Sequence, residues 1–407
     1  MSRIGRPFAT DWNTRSSGPS DFTTWYRRQH LPALTSTSRV FSRWIRSITC
    51  SSTGIVPLLA ADFGSSQSPR QYRSAIVIEL ACTFFHFNPI SSLTRSAVKT
   101  STRAVKRALK SAVVKAAPPP GAGAWSLGVA VGTTGARRFR LYRPPDVKSG
   151  ERLPLIVMLH GCGQDANAFA TSTRMNRIAM RERFLVLYPE QDRLANPQGC
   201  WNWFDTSSGR ALGEAALIMQ AIDQVCRLHP VDSTRVAIAG LSAGASMAAL
   251  LVTLHPGRFK AVVMHSGIPP GTAHSTLSVM GAMHGHRATL PLAATPVTMA
   301  VLWPPLLVIH GEADGLVSPH NGRAAVQLWA DAAGAQAGTA RNVQRGQRYP
   351  MAVTDFKRKG RTVATLVAVS RLGHAWSGGA ASKQFSDAKG PDASRMVWAF
   401  AAKQFRV

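Results

Sequence analysis

From about residue 121 onward, short uninterrupted apolar runs alternate with stretches whose apolar residues recur at helical spacing. The runs fall at 138–143 (RFRLYR), 153–160 (LPLIVMLH), 184–189 (FLVLYP), 235–241 (RVAIAGL), 259–265 (FKAVVMH), 305–310 (PLLVIH) and 362–370 (TVATLVAVS). Each is too short for a core helix and bounded by turn-forming residues. Continuous Val, Ile and Leu of this kind suit strands covered on both faces of a parallel sheet. Helical spacing predicts helices at 171–182, 211–228, 243–254, 321–333 and 392–404. Strand and helix in turn predict an α/β chain with a mostly parallel, doubly wound sheet. Such a sheet places its active site at the carboxyl ends of the strands.

The first 120 residues are different material, rich in Ser, Thr, Arg and isolated aromatics, with no sustained period before residue 94. A poorly structured, basic N-terminal extension is expected there, followed by a catalytic domain over 121–407. Within the extension, 92–117 predicts a basic amphipathic helix closed by the Pro118-Pro119-Pro120-Gly121 linker. The apolar run at 74–87 resembles a signal-peptide core, but Glu79 in its middle and its distance from Met1 argue against that reading. No run of 18 apolar residues exists, so no transmembrane segment is expected.

Composition changes this picture in one respect. Lys and Arg number 48 against 20 acids, a formal charge of +28, and the excess is denser in the extension. Such a charge favours anionic partners, so a basic protein binding nucleic acid or lipid is the competing class of function. No nucleic-acid motif accompanies the charge, and nucleic-acid binding is not expected. The five cysteines contain no CxxC pair and the twelve histidines no His-Glu-x-x-His, so neither a metal nor a cofactor is expected.

The strongest chemical signal is Gly240-Leu241-Ser242-Ala243-Gly244, a G-x-S-x-G pattern between an apolar run and an alanine-rich helix. A nucleophile elbow needs a strand entering and a helix leaving a turn too tight for bulk two residues either side of the serine. Ser242 is the expected nucleophile, and the Ala243 N–H, at the positive end of the following helix, one oxyanion donor. A serine needs a base, which in this arrangement follows an acid further along the chain. Asp314 lies in the turn after the run at 305–310, with Glu312 as its rival, and His374 lies in a small-residue loop after the run at 362–370. His320, the other histidine beyond Asp314, is expected at the surface. The second oxyanion donor is expected in the turn His160-Gly161-Cys162-Gly163-Gln164, with the Cys162 N–H as candidate. Trp201, Trp203 and Phe204 put three aromatics within four residues and suit the wall of an acyl or polyester pocket, the alternative being a plug of the core.

These motifs, with Gly199-Cys200-Trp201-Asn202-Trp203-Phe204 and Gly373-His374-Ala375-Trp376-Ser377-Gly378-Gly379, together resemble the polyhydroxybutyrate (PHB) depolymerase family of esterases over about residues 121–405. The resemblance implies the α/β-hydrolase fold, hydrolysis of carboxylic esters without cofactor, and Ser242, Asp314 and His374 as the triad. It also implies an ester or polyester substrate and an extracellular or exported setting, with a cytoplasmic one as the alternative since no clear signal peptide is read. Feruloyl and acetylxylan esterases share the catalytic core, so they remain the alternative substrate class. His160, Trp201, Trp203, Phe204 and Trp376 are the candidate substrate-binding residues. Cys162 and Cys200 flank regions expected to converge near the site, and a disulfide between them would suit an exported protein. Residues 268–303 lack a period and are expected to form a lid or side wall.

The family's secreted members generally carry a polymer-binding module after the catalytic domain. Here the expected last helix runs almost to Val407, so soluble oligomers and small esters are the expected substrates rather than crystalline polymer. Deleting residues 1–90 is expected to leave folding and ester turnover unchanged. Loss of either, measured by circular dichroism and hydrolysis rate, would give the extension a role in the core.

Overall fold

The structure, a computed structural model, describes residue 119 and residues 121–289 and 303–406. The runs at 74–87 and 92–117 lie outside the described residues. The chain divides into two units, Met1–Pro89 and Ile90–Val407, and the described residues belong to the second.

In chain order the elements are β1 (Ala124–Gly132), β2 (Gly135–Arg143), β3 (Leu153–Leu159), α1 (Ala166–Thr173), α2 (Met175–Glu182), β4 (Leu185–Pro189), α3 (Arg210–Leu228), β5 (Val231–Leu241) and α4 (Ala243–Leu254). They continue with β6 (Ala261–His265), α5 (Thr276–Met283), β7 (Leu306–Gly311), α6 (His320–Ala333), β8 (Gln336–Ala337), β9 (Arg341–Val343), β10 (Met351–Arg358), β11 (Arg361–Val369), β12 (Trp376–Ser377), β13 (Ser386–Asp387) and α7 (Ala393–Gln404). The main sheet runs β1-β2-β4-β3-β5-β6-β7-β11-β10-β8, with β9 also pairing β10. Its centre, from β4 to β11, is parallel, while β1, β2 and β10 pair antiparallel at the two sides. This is the α/β-hydrolase fold, with helices on both faces.

Every residue of β3, β4, β6 and β7 is buried, which is why these strands read as unbroken apolar runs. Successive side chains of β3 serve opposite layers. Leu155 and Val157 pack with α3, α4 and α6, while Ile156 and Met158 pack with Phe169, Met175 and Ile178 of α1 and α2 and with Val397 of α7. The antiparallel edge behaves differently: on β1, Leu127, Val129 and Val131 are exposed while Ala130 is buried.

The single helix expected at 171–182 is two. Arg174 stands between α1 and α2 in the left-handed conformation (φ 57°, ψ 24°), its N–H bonded to Ala170 O and its guanidinium to the carbonyl of Gly378. The long-range bond to Gly378 holds a break that a local period does not signal. Other elements lack a legible pattern: β1 (AWSLGVAVG) interleaves small residues with apolar ones that are largely exposed, β10 (MAVTDFKR) mixes polar and apolar positions on a half-buried strand, and α5 is too short to set a period. In the stretch 268–303, α5 is described and residues 290–302 are not.

Candidate active site

Ser242 occupies a strained turn between β5 and α4 (φ 56°, ψ −124°), a conformation a side-chain-bearing residue holds only when its surroundings enforce it. The enforcement is steric. A Cβ on Gly240 would overlap the backbone of Gly244, and one on Gly244 would overlap the carbonyls of Leu159 and His160 on the neighbouring strand. The Ser242 N–H bonds to His265 O at the end of β6 (2.8 Å), tying the elbow to the next strand as well.

Asp314 and His374 are brought together by another close crossing. A Cβ on Gly311 would overlap the carbonyl of Leu372. Beside it Glu312 N donates to Val369 O (2.9 Å) and Ala313 N to Leu372 O (3.0 Å). The loops following β7 and β11 therefore run together, and His374 Nδ1 lies 2.8 Å from Asp314 Oδ2. Asp314 is 5% exposed; its Oδ1 accepts from Leu316 N (3.0 Å) and Val317 N (2.9 Å). His310 Nε2 stands 3.5 Å from Oδ2 and 3.0 Å from Val317 O. Burial opposes ionisation of Asp314, yet the hydrogen bonds from His310 and His374, the imidazole's charge and the Val317 amide outweigh it and hold the carboxyl well below its ordinary range. An ionised acid on Nδ1 leaves Nε2 of His374 as the free lone pair. Glu312, the rival acid, is exposed and accepts from Ser370 Oγ (2.9 Å); His320 is exposed at the start of α6.

Ser242 and His374 line one cavity of about 500 Å³. Cys162 and Ala243 line it too, and the N–H of neither has a partner among the described residues. One part of the wall is aromatic and polar, from Trp201, Trp203, Phe204 and Arg210; a second is aliphatic, from Ile268, Val279, Met280, Met283 and Val317. The second wall is largely α5, which is docked on the loop after the acid: Ser318 N donates to Met283 O (2.7 Å) and Asn321 Nδ2 to Ala282 O (2.9 Å). A side wall in 268–303 is thus present in its described part. Cys162 and Cys200 form a disulfide that joins the turn at 160–164 to the aromatic segment.

Two expected substrate contacts are placed elsewhere. Trp376 is fully buried in the layer with α1 and α7, stacked on His265 (5.0 Å) and donating from Nε1 to Ser394 Oγ (3.1 Å). It anchors the base loop rather than lining the cavity, because that loop turns its apolar residue inward to the core. His160 is buried as well: Nδ1 meets Gly161 O (2.9 Å), Nε2 accepts from Gln191 N (3.1 Å), and its carbonyl accepts from Trp201 Nε1 (3.0 Å). Burial pulls its pKa down to about 4, so it is a neutral support for the turn. Trp201 and Trp203 are 0% and 4% exposed, so they are core plugs whose edges form the wall. His310, His265, Gln191 and Glu214 were not singled out from sequence. Each is a polar residue within or beside an apolar run or helix, a weak signal without tertiary contacts.

A family described as Esterase PHB depolymerase matches residues 137–346, from β2 past the acid loop. The chain belongs to this family. The match takes in Ser242 and Asp314 and stops before His374. Among relatives of the PHB depolymerase family chain, poly(3-hydroxyalkanoate) depolymerase C of Paucimonas lemoignei is 32% identical over 175 residues, covering 41% of this chain and 42% of the relative. Acetylxylan esterase A of Emericella nidulans is 26% identical over 208 residues (47% of this chain, 66% of the relative). Feruloyl esterase B of Neurospora crassa is 26% identical over 215 residues (49% and 71%). The chain thus spans less than half of the first relative's length and about two thirds of the second's. Among solved structures, an acetyl xylan esterase from Aspergillus awamori aligns with a TM-score of 0.47 at 18% identity, over 61% of this chain and 94% of that one.

The disulfide closes a loop with a sequence separation of 38, for which loop-closure entropy predicts about 4 kcal/mol of stability. Replacing both Cys162 and Cys200 by Ala is expected to lower stability by about that much and to lower kcat roughly tenfold or more as the turn at 160–164 loosens. Urea unfolding and steady-state kinetics measure the two effects, and an unchanged kcat would leave the disulfide with no bearing on the turn. The buried histidines make a second prediction. Burial lowers His160 from 6.5 to about 4 and His265 from 6.5 to about 3. Between those values and 6.5 the unfolded chain binds protons that the folded chain refuses, so stability is full above pH 6.5 and falls as pH drops toward 4 and then 3. Denaturation midpoints measured across that range are expected to show this slope, and His160→Gln to reduce it.

Proposed function

We propose that this chain is a serine esterase that hydrolyses carboxylic esters through an acyl-enzyme, with residues 121–407 as its catalytic domain. The observation that carries the reading is the placing of a strained serine and an acid-bonded histidine on one cavity, with Asp314 behind the imidazole. Ser242 Oγ attacks the ester carbonyl while His374 Nε2 takes its proton. The oxyanion that forms is held by the Cys162 and Ala243 amides, a contribution of roughly a hundred- to a thousandfold in rate per donor. His374 then protonates the leaving alkoxide, and Asp314 fixes the tautomer and stabilises the imidazolium. Water repeats the sequence on the acyl-enzyme and releases the acid.

The substrate class supported best is hydroxyalkanoate esters, as oligomers or polyester, together with small esters. A cavity of this size with one aliphatic and one aromatic wall suits a short aliphatic acyl chain, and the family assignment points the same way. The aromatic segment also favours a second reading, a feruloyl- or acetylxylan-type esterase, since a planar phenolic acyl group stacks on such a wall. The disulfide supports an exported setting, because oxidising compartments preserve such bonds. Among the described residues no helix is long and apolar enough to cross a membrane, and no group of three or more ligating side chains is placed to hold a metal.

Ser242→Ala is expected to reduce release of nitrophenol from short acyl esters by at least about four orders of magnitude with the fold intact. Equal rates in both proteins would end the serine mechanism. Hydroxybutyrate oligomers are expected to be cleaved faster than feruloyl esters or acetylated xylan, and the reverse order would select the second reading.

A further inference from the structure

We propose that Glu214 is a positioning residue for the cavity's aromatic wall, acting through Asn202 and Gln191; the inference rests on the esterase reading of that cavity. No helix or strand is present between the end of β4 at Pro189 and the start of α3 at Arg210. Yet this irregular segment supplies Asn196, Cys200, Trp201, Trp203 and Phe204 to the cavity. With no sheet ladder to place it, its position depends on tertiary bonds.

Three of those bonds converge on one buried carboxylate. Glu214, on the first turns of α3, is 4% exposed. Its Oε2 accepts from Asn202 N (2.9 Å), and its Oε1 accepts from Asn202 Nδ2 (2.6 Å) and Gln191 Nε2 (2.7 Å). Asn202 Oδ1 in turn accepts from Asn196 Nδ2 (3.0 Å). Gln191 extends the same network to the oxyanion turn and to β2. Its Nε2 also donates to Cys200 O (2.9 Å), its N–H to His160 Nε2 (3.1 Å), and its Oε1 accepts from the buried guanidinium of Arg137, which lies over the Trp201 ring at 5.4 Å. Neither Glu214 nor Gln191 lines the cavity. Buried charges of this kind add little stability over an apolar pair of equal volume, but they are severe about geometry, since each misplaced donor is left without a partner. The network therefore sets where the wall stands.

The test compares wild type with Glu214→Gln, which substitutes an amide for an acceptor-only group, and with Glu214→Asp, which keeps the buried charge and withdraws it by one methylene. KM for 4-nitrophenyl octanoate, long enough to reach the wall, is expected to rise about tenfold while kcat for 4-nitrophenyl acetate stays within about twofold. Amide hydrogen exchange over residues 196–204 is expected to accelerate in both variants, a readout independent of turnover. A lowered melting temperature with an unchanged KM for the octanoate and unchanged exchange would overturn the proposal by reducing Glu214 to a structural role. Absence of Ser242-dependent hydrolysis in the wild type would instead remove the esterase reading, with the exchange measurement still deciding whether Glu214 positions the segment.

Discussion

The site depends on a steric constraint where β3, β5 and α4 meet. Gly244 passes so near the carbonyls of Leu159 and His160, and Gly240 so near Gly244, that neither position has room for a Cβ. This crowding turns the chain from strand to helix in a single residue and keeps Ser242 in a conformation it would leave if free. The same closeness sets the start of α4, with its unpaired N–H groups, beside the turn that begins at His160. The strained serine and the amides of Cys162 and Ala243 are thus a single consequence of backbone packing. A parallel sheet centre in which β3, β4, β6 and β7 are buried throughout supplies the rigidity that such strain requires.

Around that point the molecule invests heavily in buried polar groups. Asp314 is surrounded by donors from His310, His374, Leu316 and Val317, which keeps it ionised despite burial. His265 and His160 are kept neutral by burial and hydrogen-bond outward from the ends of β6 and β3, His265 to the base loop and His160 to the segment after β4. The aromatic segment is held by the disulfide at Cys200 and by Glu214 at Asn202. In each case a loop without regular structure is fixed by a few directional bonds. Such bonds cost desolvation energy, and what they secure is position.

The sheet, the elbow and the three candidate catalytic side chains are legible in the amino-acid order alone. Those features rest on local chemistry: unbroken apolar runs mark doubly covered strands, and two glycines flanking a serine at a strand-to-helix junction permit one geometry. The order of serine, acid and histidine then follows from which strand each one ends. The remaining features depend on the packed fold. It separated α1 from α2 at Arg174, because the bond that holds the break goes to Gly378, far along the chain. It turned Trp376 and His160 away from the cavity, because burial depends on what packs overhead and not on the residue or its neighbours in sequence. It also assembled Arg137, Gln191 and Glu214 into one network, since three polar residues on separate elements carry no mutual signal until the fold brings them within hydrogen-bonding distance.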